Sequence, residues 1–388
     1  MSATDPIIQG WCPGALRPMM SGDGLVVRVR AVVGQLNADQ MAKIAGLSDQ
    51  YGNGILDVTQ RANLQIRGVD AKNHPTLIDA LRTLGVIDAD IAIETKRNIV
   101  ITPFGGDAPR DLARDLTEAL PRFPELPGKF GFAIDIGPDA VLGDVSADIR
   151  VESNTAGQMI LRADGCDTAA LTSRDTVIDD MILLAEWFAD HGITDGRGRM
   201  RKLLKRQPDI LPEQFRGTET PRVQITPPKA GPIDDGTLIA CAYGQITASD
   251  LRLLSVSLTG ITMTPWRAFF VPGQNLTLPV SCEGLIIDPN DPRLRIAACP
   301  GAPKCPQALG ETRALADRLA QHIPIGKHLH ITGCAKACAA SGQYDATLIA
   351  TDAGFDLHHF SDTSPSARGL RPTALATDPT LIFEGHPK

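Results

Sequence analysis

The chain has 388 residues and a formal net charge of −7, with 38 Lys and Arg against 45 Asp and Glu. That balance argues against a nucleic-acid partner, which calls for a basic excess, and 43% hydrophobic with 21% charged residues excludes general disorder. No apolar run reaches the roughly 18–20 residues of a membrane-spanning helix, and Met1 to Gly10 lacks a basic stretch leading into an apolar one, so a cytoplasmic protein without a membrane partner is expected.

In chain order, Asp23-Gly24-Leu25 opens a β-rich run carrying Arg28 and Arg30. Two apart on a strand, they point to one side, with apolar neighbours on the other. Gly34-Gln35-Leu36-Asn37-Ala38-Asp39 follows, and Asn37 is placed to cap a helix over 38–49. A second strand ends at Val58-Thr59-Gln60-Arg61, and Arg61, Asn63, Gln65 and Arg67 would share one face of an extended chain. Lys96, Arg97, Asn98 and Lys129 add further donors. Guanidinium forks and amides in this density suit a ligand with several carboxylates or phosphates. Residues 176–190 have helical periodicity, and 197–206 is a basic run that reads as a solvated helix face or an interdomain contact.

After a Pro/Gly-rich connector at 226–232 the pattern returns. Asp235-Gly236-Thr237 starts a β-rich run, and Gly244-Gln245-Ile246-Thr247-Ala248-Ser249 leads into a helix over 248–255 capped by Thr247. Met263-Thr264-Pro265-Trp266-Arg267 closes a second strand. The chain therefore contains a duplicated strand–helix–strand unit, each copy followed by a longer α/β segment. The expected divisions are 1–75, 76–220, 221–283 and 284–388.

Of eight cysteines, Cys12, Cys166, Cys241 and Cys282 are solitary and read as small hydrophobes. Cys299 and Cys305 are spaced C-x5-C, and Cys334 and Cys338 C-x3-C. Four thiolates can hold a [4Fe–4S] cluster. Zinc is the alternative, although its ligand pairs have shorter spacings. Pro300, Pro303 and Pro306 hold the first loop out of helix. The second pair would sit one turn apart if a helix starts after Gly333, with its N–H groups facing the cluster. His328 and His330 share a strand face nearby and read as ordinary strand histidines. The residues show no two-His-one-carboxylate layout and no Gly-rich nucleotide motif. Residues 361–373 read as a loop-rich tail.

The cysteine spacings, together with Thr59-Gln60-Arg61-Ala62-Asn63-Leu64-Gln65-Ile66-Arg67, resemble the sirohaem-type nitrite/sulfite reductase superfamily. Its tetrapyrrole motif is similar to T-x-R-Q-x-x-Q-x-R, with Ala62 here in place of Gln. The resemblance covers nearly the whole chain. It implies an α+β fold with two ferredoxin-like half-domains and two larger α/β domains about a pseudo-twofold axis. It also implies a [4Fe–4S] cluster on Cys299, Cys305, Cys334 and Cys338, and a second iron centre, non-haem iron or sirohaem. By the same resemblance Arg30, Arg97 and Lys129 are catalytic, and Arg28, Arg61, Asn63, Gln65, Arg67, Lys96 and Asn98 bind the tetrapyrrole.

The superfamily's L-P-R-K-F-K segment is similar to Leu126-Pro127-Gly128-Lys129-Phe130-Gly131, so the second lysine, which delivers protons to a reducing oxyanion, is a glycine here. Gly131 to Gly137, Thr264-Pro265-Trp266-Arg267 and Gly333-Cys334-Ala335-Lys336-Ala337-Cys338 resemble a shorter branch that oxygenates rather than reduces. That branch implies precorrin-3A and O₂ as substrates and electrons from a separate reductase or ferredoxin. A sirohaem-dependent nitrite or sulfite reductase and a non-enzymatic electron carrier are the alternatives.

Overall fold

The computed structural model describes residues 13–273, 276–279, 282–340, 342–360 and 364–383; Cys12 lies outside them. The first copy of the repeat contains β1 (Met19–Ser21), β2 (Gly24–Val29), β3 (Gln35–Asn37), α1 (Ala38–Tyr51), β4 (Ile55–Val58) and β5 (Leu64–Val69). Asn37 caps α1 through a reciprocal box with Gln40. α2 (His74–Thr83) and α3 (Ile91–Lys96) lead into an α/β unit: β6 (Ile99–Ile101), α4 (Ala108–Ala119), β7 (Phe132–Asp135), β8 (Ile149–Ser153), β9 (Met159–Ala163), β10 (Ala170–Leu171), α5 (Val177–Gly192), α6 (Met200–Arg206) and α7 (Glu213–Arg216).

The second copy comprises β11 (Gly231–Ile233), β12 (Gly236–Cys241), β13 (Gln245–Thr247), α8 (Ala248–Ser257), β14 (Gly260–Met263), β15 (Ala268–Pro272) and β16 (Leu285–Ile286). Thr247 caps α8 as expected. A second α/β unit follows with β17 (Ile296–Ala298), α9 (Arg313–Leu319), β18 (Leu329–Thr332), β19 (Ala346–Thr351), β20 (Gly354–His359), β21 (Ala367–Leu370) and α10 (Pro372–Thr377). The expected loop-rich tail thus contains a strand and a helix, because β21 completes the sheet edge beside β20; residues 361–363 of that segment lie outside the described residues. Among the described residues no helix is long and apolar enough to cross a membrane.

The two half-units exchange a strand. The first sheet runs β1-β2-β5-β4-β13, and the second runs β11-β12-β15-β14-β3. Each short strand that precedes a helix therefore pairs antiparallel with the other copy, Ile246 opposite Leu56 and Ile261 opposite Leu36. α1 packs on α8, and one apolar core, including Leu36, Met41, Ile44, Ile246, Leu251 and Leu254, spans both copies. The turns into the exchanged strands also match: Val33 and Gly34 have φ of 45° and 75°, Tyr243 and Gly244 of 55° and 70°. Repetition extends to the α/β units. β6-β7-β8-β9-β10 and β17-β18-β19-β20-β21 share the order parallel, parallel, antiparallel, antiparallel. The whole chain is an α+β duplication about a pseudo-twofold axis.

Candidate functional site

The four paired cysteines lie at the carboxyl ends of β17 and β18, where parallel strands of an α/β sheet offer their loops to ligands. Thr102 and Cys299 are equivalent: each follows the first strand, precedes a proline and donates its N–H to the neighbouring strand, to Ile134 O at 2.9 Å and Ile331 O at 3.3 Å. Cys299 is buried and its sulfur accepts an N–H bond from Gly333 at 3.2 Å. Cys338 is the most exposed of the four. Its thiol is nonetheless pushed up by partial burial and, against an opposing Lys336, by Cys334, Cys299 and Cys305. The other three cysteines thus lie within electrostatic reach of Cys338. Among the described residues no three His, Cys, Asp or Glu converge on a single metal ion, whereas a [4Fe–4S] cluster spreads four thiolates over four irons. The donor set fits the cluster.

The expected helix after Gly333 does not form. Residues 334–340 make successive turns, with Ala337 at φ 50° and Thr332 Oγ1 donating to Cys334 O at 2.9 Å. Gly333 matters for closeness: a Cβ there would lie 2.5 Å from the Ala308 Cβ. The other cysteine loop is held from the first half-unit. Lys304 O, one residue before Cys305, accepts from Gly22 N (3.1 Å), Ser21 Oγ (2.7 Å) and Arg67 Nη2 (3.0 Å).

Arg67 is accordingly spent inside the protein. It is 5% exposed and pairs with Asp23 and Asp57. Gln65 shares its face of β5, opposite Arg28 on β2 and Asp57 on β4. Arg61 and Asn63 do not share that face, because Ala62 adopts φ 53° and β5 begins only at Leu64. Arg30 bonds Asp88 and the Glu94 carbonyl, and Arg97 pairs with the same Asp88 at 2.5 Å. Burial, with Arg28 beside it, lowers the Arg30 guanidinium to about 9. Arg30, Asn63 and Arg97 line one small hollow. Lys96 donates to Phe123 O at 2.6 Å, and buried Asn98 donates to Thr95 O and Phe130 O. The Lys129 side chain faces a separate groove, while its carbonyl accepts from Arg61 at 3.3 Å.

A cavity of about 930 Å³ opens beside the cysteine loops, bounded by Ile296 and Ala297 before Cys299 and by Ala340 and Tyr344 after Cys338. Matched loops from the two half-units bound it. In one, Thr59 N donates to Asn63 O at 2.9 Å; in the other, Thr264 N donates to Ala268 O at 3.1 Å. Each has a left-handed residue, Ala62 or Arg267 (φ 58°), a conformation that is uncommon outside glycine. Six arginines line the cavity. Arg162, Arg201 and Arg293 are each paired with a carboxylate, on Glu152, Asp164 and Asp291. Arg61, Arg267 and Arg295 bond only main-chain carbonyls among the described contacts, those of Lys129, Ala339 and Ile323. Arg267 is held below its ordinary range mainly by burial. Three guanidinium groups that bond no carboxylate among the described contacts suit a polycarboxylate. Their volume fits one too, since small-molecule sites span roughly 300–1,000 Å³.

Arg267 and Arg295 lie outside the expected tetrapyrrole-binding residues, yet both line the cavity. For Arg267 the signal is the repeat itself, since Thr264-Pro265-Trp266-Arg267 is the second copy of Thr59-Gln60-Arg61-Ala62; Arg295 has no such signal. His330 is buried, its Nε2 has no hydrogen-bond partner among the described residues, and its ring lies 5.1 Å from Tyr344. Burial, then Arg267, lowers it to about 4. Behind the cavity loop 141–146, Asp135 accepts the N–H bonds of Val141 and Leu142, and Arg150 donates to the carbonyls of Leu142, Gly143 and Val145.

Residues 17–84 match the nitrite/sulfite reductase ferredoxin-like half domain. The fold matches the structure of Mycobacterium tuberculosis NirA protein with a TM-score of 0.63 and 19% identity, over 86% of this chain and 74% of that one. A doubled half-domain of this type, beside four clustered cysteines, defines the nitrite/sulfite reductase class. Within that class, a Sinorhizobium precorrin-3B synthase is 31% identical over 90% of this chain and 82% of its own length. The chloroplastic ferredoxin–nitrite reductase of Zea mays is 24% identical over 81% of this chain and 67% of its own. The chain belongs to the precorrin-3B synthase family.

Proposed function

We propose that the protein is an oxidoreductase that hydroxylates precorrin-3A with O₂ and closes a lactone from an acetate side chain, as a step of aerobic cobalamin biosynthesis. The observation that carries this reading is the 930 Å³ cavity beside the four cysteines, with Arg61, Arg267 and Arg295 bonded only to main-chain carbonyls among the described contacts. A multi-carboxylate tetrapyrrole would place its carboxylates on those guanidiniums, and the flanking Trp266 and Tyr344 would cover its apolar faces. Cys299, Cys305, Cys334 and Cys338 would hold a [4Fe–4S] cluster, which supplies one-electron transfer. One oxygen atom enters the meso carbon between rings A and D and the other leaves as water. The two electrons this needs come from a separate reductase or ferredoxin. The second iron centre belongs to this reading without assigned ligands.

Arg30 and Arg97, both held by Asp88, line a hollow that also touches Ala62 and Asn63 of the cavity-bounding loop. They are proposed to act on the reacting face from there, with Lys129 placing Arg61 through its carbonyl. Gly131 supports oxygenation over oxyanion reduction. A Cβ there would lie 3.3 Å from Asn98 O and 3.4 Å from Ser146 O, so a side chain at this position would meet a tight backbone environment, and the proton-delivering lysine of the reductases is absent. The test is anaerobic reconstitution followed by O₂ and precorrin-3A, with the product weighed. A gain of one oxygen atom is expected. Six-electron reduction of sulfite or nitrite, with a sharp Soret band, would refute it in favour of a sirohaem reductase.

A further inference from the structure

The basic run at 197–206 lines a groove of about 510 Å³ on the first α/β unit, together with Lys129. Six cations face it and no carboxylate does. Only Arg199 is ion-paired among the described residues, to Asp148 at 2.9 Å. Lys129, Arg197, Lys202, Lys205 and Arg206 are exposed. A solvated helix face would distribute such residues among acidic neighbours at i±4, as Lys43 does with Asp39. In a chain of net charge −7, this is charge segregation.

The groove is continuous with the cavity. Arg199 and Lys202 also line a recess of about 350 Å³, which shares Gly143, Asp144, Val145, Ser146 and Arg201 with the large cavity. A line of basic residues therefore runs from Arg206 and Lys205 through Lys202 and Arg201, past Asp144 and the Arg201 partner Asp164, to Arg61, whose guanidinium bonds the Lys129 carbonyl.

We infer that this groove is an electrostatic entry path that captures a polycarboxylate tetrapyrrole and guides it into the cavity. The inference rests on the tetrapyrrole reading and adds the route to it. Groups of one sign bordering a cleft raise association rates by 10–10³ at low salt, and the effect fades once the Debye length falls to about 3 Å near 1 M salt. Such a path changes how fast an anion arrives and leaves the final contacts alone.

The probe is uroporphyrin, a fluorescent porphyrin octacarboxylate, mixed with the reconstituted full-length protein in a stopped-flow instrument. Lys202→Glu/Lys205→Glu is compared with wild type from low to high salt, with thermal melts confirming folding. At low salt the variant is expected to associate at least tenfold more slowly, with an unchanged dissociation rate, and to converge with wild type near 1 M salt. Arg267→Ala is expected to do the reverse, raising the dissociation rate. If the groove variant associates at the wild-type rate, the entry path is refuted while the cavity stands. If Arg267→Ala leaves dissociation unchanged, the cavity reading fails instead. An intact porphyrin association rate combined with loss of turnover by an acidic electron-donor protein would assign the groove to that protein and overturn the proposal.

Discussion

Arg267 Nη2 donates a 3.0 Å hydrogen bond to the carbonyl oxygen of Ala339, the residue after Cys338. One side chain thus joins the second half-unit's cavity loop to the cysteine-bearing turns. Its guanidinium also feels the charge of Cys299. Arg267 therefore sits between the large cavity and the four paired cysteines.

Replacing Arg267 by Ala is expected to weaken porphyrin-carboxylate binding by about ten- to a hundredfold, the equivalent of one charge-assisted hydrogen bond of roughly 1.5–3 kcal/mol. Arg61→Ala should behave alike, whereas Arg162→Ala, which strips Glu152 of its partner, should lower the melting temperature more. Fluorescence titration beside a thermal melt distinguishes the two patterns.

Arg67→Ala should act through the cluster loop rather than through the ligand. It removes the Nη2 bond to Lys304 O and leaves Asp23 without the guanidinium that it meets at 2.6 Å. Breaking a buried pair costs about 3–5 kcal/mol. Lower iron content after reconstitution and a lower melting temperature are expected, with Arg67→Lys recovering part of the stability but not the fork. Iron analysis and calorimetry check this.

Loss of any of Cys299, Cys305, Cys334 or Cys338 to Ala should abolish the broad charge-transfer absorption of an iron–sulfur cluster. Cys166→Ala and Cys241→Ala should keep it, because neither belongs to the two cysteine pairs at the ends of β17 and β18. Equal iron in wild type and Cys338→Ala would contradict the ligand set.

Asp135 gives a pH signature. Burial raises its carboxyl from 3.8 to about 6 against the N–H bonds of Leu142 and Val141. Between those values the folded state holds more protons than the unfolded one, so this group's contribution to stability is full below about 3.8 and is lost as pH rises through about 6. Asp135→Asn keeps an acceptor for the loop and removes the titration. The melting temperature of the variant relative to wild type should therefore rise from pH 4 to pH 7; a flat difference would contradict the shift.

The sequence by itself determined the duplication, the caps at Asn37 and Thr247, and the four cysteines, because each is written in local spacing or in a repeated string. It also marked Arg61 and Gly131. Tertiary structure decided which arginines face a ligand. Arg61 and Arg67 stand in one motif, yet a left-handed Ala62 turns the chain between them, so one lines the cavity while Asp23 and Asp57 neutralise the other. Arg295 carries no motif; it joins the cavity only because β17 runs in parallel beside β18. The reciprocal strand exchange was equally hidden, since Gln35–Asn37 and Gln245–Thr247 look local in sequence but pair in register with a strand of the other copy's sheet. Local patterns record what a residue needs from its neighbours along the chain; charge compensation and cavity lining depend on partners that only the packed fold supplies.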